Sequence, residues 1–225
     1  QVGALHAIAQ HFVLSRNDPA IVVMPTGSGK TAVMALTAFL LKSERALIVT
    51  PSRIVRGQIA EQLSSLSLLR GIGALKGNPA DKPQVHEVLS QIRSTEMWND
   101  LSKFDVVVGA INSVSPGYEI IPDPPADLFD LILIDEAHHS AAKTWNALLE
   151  KFPNAARVLF TATPFRRDSK EIKGSIVFSY PAKMALEDRI FGSIEYVAVD
   201  PDPQENQIEN DRRIAIAAED VFRQD

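Results

Sequence analysis

The stretch AIVVMPTGSGKTAVMALTAFLLKS, Ala20 to Ser43, decides how the rest of the chain reads. Its first five residues, Ala20–Met24, are apolar without polar alternation, as a strand covered on both faces requires. Thirteen residues with a strong helical pattern, Thr31–Ser43, follow after a turn that holds Gly27 and Gly29. The two glycines let the backbone curl so that several N–H groups point into one cavity, and the helix start adds its positive dipole end. Lys30 can then reach the β- and γ-phosphates of a nucleotide, and the Thr31 hydroxyl can sit on Mg²⁺. The strict G-x-x-x-x-G-K-[ST] spacing is not met, because its first glycine would fall on Met24. A glycine-rich turn with a chance lysine is the bland alternative. Placement between an apolar strand and a strong helix favours a phosphate cradle formed by Thr26, Gly27, Ser28, Gly29, Lys30 and Thr31.

Outward from this unit the same alternation repeats. ALIVT (Ala46–Thr50), FDVVVG (Phe104–Gly109), DLILID (Asp130–Asp135) and RVLFTA (Arg157–Ala162) are further strand candidates. Between them RIVRGQIAEQLSSL (Arg53–Leu66), VHEVLSQIRSTEMWNDL (Val85–Leu101) and TWNALLEKF (Thr144–Phe152) have helical spacing. Strands alternating with helices predict an α/β fold, with helices on both faces of a mostly parallel central sheet. The crowded prolines of IIPDPPADLF read as a surface connection. The character changes after FSYPAKMALEDRIFG: IEYVAV (Ile194–Val199) reads as one more strand, DPDPQENQ as a linker, and Ile208–Gln224 as a helix. The expected division is a main domain over 1–190 and a linker segment over 191–225. Trp98 and Trp145 are expected to pack against neighbouring elements.

A 225-residue chain with 45% hydrophobic residues can bury a sizeable core, and it contains no cysteine. That excludes a disulfide framework and any thiolate metal site, and it suits a cytoplasmic location. No signal peptide is expected from the start at Gln1, and no apolar run reaches the roughly 20 residues of a membrane span. The net charge of −5 is concentrated at one end. Residues 200–225 hold eight acids against three arginines, which leaves twenty groups of each sign in residues 1–199. A local basic face on the main domain remains open.

In LILIDEAHHS, Leu131–Ser140, two carboxylates precede two histidines. One reading is a metal-ligand cluster. However, adjacent histidines do not share a face, and only three others are available. The better reading places Asp135 at the end of a buried strand, holding Mg²⁺ opposite Thr31, with Glu136 next to it as the base for an attacking water.

PTGSGKT, TPSRIVRGQ, DEAHH and TATPFRRD, in this order on alternating strands, resemble the superfamily 2 helicases and translocases, in the DEAH-type branch with restriction-enzyme motor subunits. The likeness runs from Gln1 to about Arg189 and implies the first RecA-like lobe of a P-loop NTPase. It implies that ATP and Mg²⁺ are bound and that Gln1 reads adenine. It implies that His138, Thr161 and Thr163 couple nucleotide state to nucleic-acid grip. Pro51, Ser52 and Arg53 would touch a sugar-phosphate backbone, with Ser52 also serving as a helix N-cap. Asn112 and Ser113, after Gly109 and Ala110, occupy a second such position. Arg166 and Arg167 are expected in a solvated loop.

The resemblance also implies a second RecA-like lobe that supplies an arginine finger, and no Q-x-x-G-R-x-x-R pattern occurs here. The chain is therefore expected to be a first lobe from a longer protein, binding ATP and hydrolysing it weakly alone. Expected partners are DNA, with RNA left open, the second lobe, and a nuclease or a restriction or repair subunit; no membrane partner is expected. The competing function is an ATP-dependent binding or switch module that does not translocate. An unrelated small-molecule kinase would leave TATP unexplained.

Overall fold

The aliphatic runs do become strands. In the computed structural model, residues 1–76, 82–137, 142–163, 173–190, 198–199 and 206–222 are described. They fall into two units, Gln1–Ile190 and Phe191–Asp225. The first unit opens with α1 (Val2–Leu14), β1 (Ala20–Val23), α2 (Lys30–Leu40), β2 (Ala46–Thr50), α3 (Arg53–Ser65) and α4 (Ser67–Gly71). It continues through β3 (Val85–Glu87), α5 (Thr95–Asp100), β4 (Val106–Ala110), α6 (Ile111–Val114) and β5 (Leu131–Ile134). It closes with α7 (Ala142–Glu150), β6 (Ala156–Thr161), β7 (Ser175–Ser179) and α8 (Ala182–Glu187). Among the described residues the sheet has seven strands in the order β3-β4-β2-β5-β6-β1-β7, and every neighbouring pair is parallel.

Strand alternation divides the core into two layers. Val22, Ile48, Val108, Leu133 and Phe160 point to the side of α1, α2 and α3, where Ala4, Ile8, Val33, Met34 and Ile59 are buried with them. Their neighbours Ile21, Leu47, Val107, Ile132 and Leu159 point the other way, toward Trp98, Phe129, Trp145, Leu148 and Phe152. This is the expected three-layer α/β arrangement. Because all strands run one way, their carboxyl ends share one edge, the edge at which ligands of parallel sheets bind.

The opposite edge is held by side chains with no motif. The Asp130 carboxylate accepts from the Ser43 hydroxyl (2.6 Å), Glu44 N–H (2.9 Å) and Arg45 N–H (3.0 Å), tying the entry of β2 to that of β5. Gly174 enters β7 at φ 135°, and a Cβ there would stand 2.4 Å from the Pro19 carbonyl oxygen.

Two elements differ from expectation: Ser175–Ser179, not among the strand candidates, pairs with β1 as β7, and the segment before β4 is divided. Val85–Leu101 is not a single helix: Val85–Glu87 forms the edge strand β3 on β4, and helix returns only at Thr95, capped by the Ser94 hydroxyl. Val85, Val88, Leu89 and Ile92 have the spacing of a helix face, yet Leu89 is 70% exposed while Val88 and Ile92 are buried from an irregular segment. Pairing to β4 outweighed the local pattern.

In the second unit, α9 (Gln207–Phe222) is opened by a reciprocal cap. Glu209 N–H donates to Asn206 Oδ1 (3.1 Å) and Asn206 N–H to the Glu209 carboxylate (3.2 Å). Most of the IEYVAV run and residues 200–205 of the expected linker lie outside the described residues.

Candidate functional site

The PTGSG turn leaves β1 at the carboxyl edge and passes into α2. Gly27 (φ 82°) and Gly29 (φ 94°) both adopt positive φ, and Gly29 is the N-cap of α2. The turn is tied down from within, since the Ser28 hydroxyl donates to Pro25 O (2.7 Å) and the Ala32 and Val33 N–H groups donate to Gly29 O (3.1 and 3.2 Å). Thr26 and Gly27 are exposed at the tip, Thr31 is half-buried and Ser28 is buried. Gln1, which precedes α1, lies against this turn. Its side-chain amide donates to Ser28 O (3.2 Å), and a Cβ on Gly29 would come within 2.1 Å of that amide nitrogen.

Lys30 is only 8% exposed, and its ammonium donates to Glu136 Oε1. This pair joins residues 106 apart in sequence. Asp135 lies beside it, with its own N–H held by Val49 O (2.8 Å) and its carboxylate accepting from Glu136 N–H (3.0 Å). Glu136 has φ 49°, a left-handed conformation that a side chain rarely takes. Burial pushes the Asp135 carboxyl above its usual range; Lys30 pulls it back, and the Glu136 charge pushes it further up. A divalent cation would relieve that cost. A hydroxyl at Thr31 and a carboxylate at Asp135 are hard oxygen donors of the kind Mg²⁺ takes, so the residues fit the ion.

Thr161 ends β6, fully buried, and its backbone carbonyl accepts from Met24 N–H (2.9 Å) at the root of the turn. Its hydroxyl donates to Thr163 O (2.9 Å) and accepts from Thr163 N–H (3.1 Å), which folds the TAT segment back beside β1. His138, Arg166 and Arg167 lie outside the described residues.

Pro51, Ser52 and Arg53 stand at the same edge, beyond β2. The Ser52 hydroxyl accepts from Val55 N–H (3.3 Å) and caps α3, and Arg53 is exposed. Thr50, the first residue of TPSRIVRGQ but given no role there, donates its hydroxyl to Ser52 O (3.1 Å) and shapes the turn. After β4, Asn112 is exposed, whereas Ser113 is 5% exposed and turned inward. The Gln91 amide, from the segment expected to be helical, donates to Asn112 O (3.0 Å). Phosphate turn, carboxylates, TAT segment and both backbone-contact candidates thus share the carboxyl edge.

Comparison with known proteins follows this geometry. The family described as "Type III restriction enzyme, res subunit" matches residues 1–166 of the 225, and the chain belongs to that family. It is 28% identical over 193 residues to "Putative helicase 22" of Sulfolobus islandicus filamentous virus, covering 81% of this chain and 32% of the relative. It is 29% identical over 131 residues to a "Type I restriction enzyme EcoAI endonuclease subunit" of Escherichia coli, covering 46% and 16% respectively. The chain therefore spans a third or less of the length of these relatives. Among solved structures, the fold is shared with a nuclease-deletion mutant of the Type ISP restriction-modification enzyme LlaGI (TM-score 0.53, 19% identity, 83% of this chain and 20% of that one). It is also shared with the UvsW helicase from bacteriophage T4 (TM-score 0.50, 16% identity, 71% and 51%). These likenesses establish a RecA-like fold. Among the described residues, no helix is long and apolar enough to cross a membrane.

Proposed function

We propose that this member of the res-subunit family is the ATP-binding motor lobe of a DNA-dependent helicase or translocase, cytoplasmic and completed by a second RecA-like lobe. The observation that carries the reading is the Lys30–Glu136 pair, which brings the phosphate turn and the carboxylate strand end into one buried site. In this reading the backbone of Thr26–Gly29 and the start of α2 cradle the phosphates. Lys30 leaves Glu136 for the β- and γ-phosphates, and Thr31 and Asp135 hold Mg²⁺. When bound, Mg²⁺ neutralises charge on the phosphate oxygens. Glu136, released from Lys30, takes the proton of the attacking water. Its backbone N–H on the Asp135 carboxylate keeps the two acids in fixed relation.

Gln1 reads the base, a role supported by its amide lying on Ser28 O of the phosphate turn. Thr161 and Thr163, with His138, transmit nucleotide state toward Pro51, Ser52, Arg53, Asn112 and Ser113, which hold the sugar-phosphate backbone. Of these, Ser113 acts through its backbone, since its side chain is turned inward. The restriction relative supports DNA as the track and a nuclease or restriction subunit as the wider partner.

The test is ATP binding and hydrolysis by this chain beside Lys30→Ala, then by the full-length protein with and without DNA. Lys30-dependent binding with little turnover by the chain alone, and DNA-stimulated turnover by the full-length protein, is the expected result. DNA-independent turnover by the full-length protein would favour the switch module, and Lys30-independent binding would refute the site.

A further inference from the structure

Strand β7 leaves the sheet beside the phosphate turn, and its last residues have no part in the mechanism above. Tyr180 N–H donates to Val23 O (2.8 Å), which places Tyr180 where β1 ends and the PTGSG turn begins. Phe178, two residues earlier, faces α1: a Cβ on Gly3 would stand 3.2 Å from its ring. Tyr180 shares that strand parity, and its side chain packs against the same buried group as Phe178, a group that includes Ala4 and Met24. Gln1 reaches the turn from the adjoining end of α1, with its amide on Ser28 O.

The Tyr180 ring is held at both ends. Its backbone N–H is bonded to the end of β1, and its hydroxyl donates to Asp188 Oδ2 (2.7 Å), the C-cap of α8. That bond pushes the hydroxyl pKa up to about 12, so it remains a neutral donor committed to Asp188. The residue is nevertheless half-exposed. The side chain is thus partly packed on the core and engaged at its hydroxyl, while part of the residue stays uncovered.

We propose that Tyr180 is the stacking wall of a nucleobase subsite: the base of a nucleoside triphosphate lies on its ring while the phosphates occupy Gly27–Thr31. The proposal rests on the nucleotide-binding reading above and adds to it the group that grips the base. A ring already fixed at both ends loses little freedom when a base stacks on it. Every base has a π-face, so stacking gives affinity without discrimination. The hydroxyl is occupied by Asp188 and reads no base edge. Tyr180 therefore strengthens ATP and GTP alike, and any preference between them belongs to the Gln1 amide.

The experiment is calorimetric titration of this chain with Mg²⁺–ATP, Mg²⁺–GTP and Mg²⁺–tripolyphosphate, comparing wild type, Tyr180→Ala and Tyr180→Phe, with thermal melts to confirm folding. Tyr180→Ala is expected to weaken both nucleotides about tenfold and leave tripolyphosphate unchanged. Tyr180→Phe, which keeps the ring, is expected to stay close to wild type for all three. Equal losses for nucleotides and tripolyphosphate, or no loss for the nucleotides, would overturn the subsite. So would Tyr180→Phe falling with Tyr180→Ala, which would mark the Asp188 bond as structural. A wild-type chain that binds tripolyphosphate but gains nothing from the base also sinks this proposal alone. One that binds none of the three sinks the function reading with it.

Discussion

Replacing Glu136 with glutamine should tighten ATP binding while abolishing hydrolysis. Without nucleotide, the Lys30 ammonium is engaged by Glu136 and surrounded by protein, with the two side chains 8% and 18% exposed. Phosphates must therefore compete with Glu136 for it. Exposed ion pairs contribute about 0.2–1 kcal/mol, and removing one partner of a fully buried pair costs about 3–5 kcal/mol. This pair lies between those limits, and Asp135 remains near Lys30 after the substitution. An effect of about 1–2 kcal/mol follows, so Glu136→Gln should bind ATP roughly 5–30-fold more tightly. The amide cannot accept the water's proton, so turnover is lost.

Calorimetry gives the affinity, and thermal melts give a second, opposite signature. The nucleotide-free variant should melt lower than wild type because the pair is gone, yet gain more from saturating ATP because its affinity is higher. Removing the Glu136 charge also removes one of the forces that raise the Asp135 carboxyl, so that carboxyl ionises more readily. Unchanged or weaker ATP binding by Glu136→Gln would show that the ion pair does not compete with nucleotide, and the closed-site argument would fail.

Three further outcomes follow from the geometry. Burial holds the Asp135 carboxyl above its unfolded value, so its charged form costs stability above the raised folded pKa, and the cost fades as pH falls toward and below 3.8. Asp135→Asn should therefore raise the nucleotide-free melting temperature at neutral pH, by about 2–4 °C per kcal/mol for a domain of this size, with the gain shrinking in acid and Mg²⁺-dependent ATP binding lost. A gain that persisted unchanged at low pH would contradict burial of charge as the cause. Gly29→Ala should cost about 1–2 kcal/mol in urea unfolding because φ 94° is strained for any side chain. Adding Gln1→Ala should not restore it; full rescue would mean that the contact with the Gln1 amide, and not the backbone, was limiting. Asp130→Ala removes the acceptor for three donors at the far edge and should lower stability by about 1–3 kcal/mol, leaving ATP affinity of the folded protein unchanged. A matching loss of ATP affinity would show that the two edges are coupled.

The five central strands were legible because each is covered on both faces, which forces an apolar run with no alternation to misread. The two edge strands were not. β3 has three half-buried residues and is followed by apolar positions at helical spacing. In β7, every residue of SIVFS is exposed or half-buried, so its membership depends on hydrogen bonding to β1 rather than on composition. Strand identity at an edge is a property of the neighbour, and a single sequence does not display its neighbours.

The same division separates what was visible of the site. The phosphate turn and the carboxylates could be found because their chemistry needs particular residues at short spacing: glycine where φ is positive, a lysine and hydroxyl at a helix start, acids at a strand end. What the sequence could not show is which of those groups satisfy one another when no ligand is bound. Lys30 and Glu136 were assigned separate tasks, one on phosphate and one on water, and the fold pairs them. That pairing gives the nearly buried ammonium a direct partner, and it occupies the two groups that the proposed mechanism requires to be apart. In the proposed mechanism ATP binding and release of the base are then a single event: the phosphates that draw Lys30 away also free Glu136. On that proposal the lobe withholds its base until a nucleotide arrives.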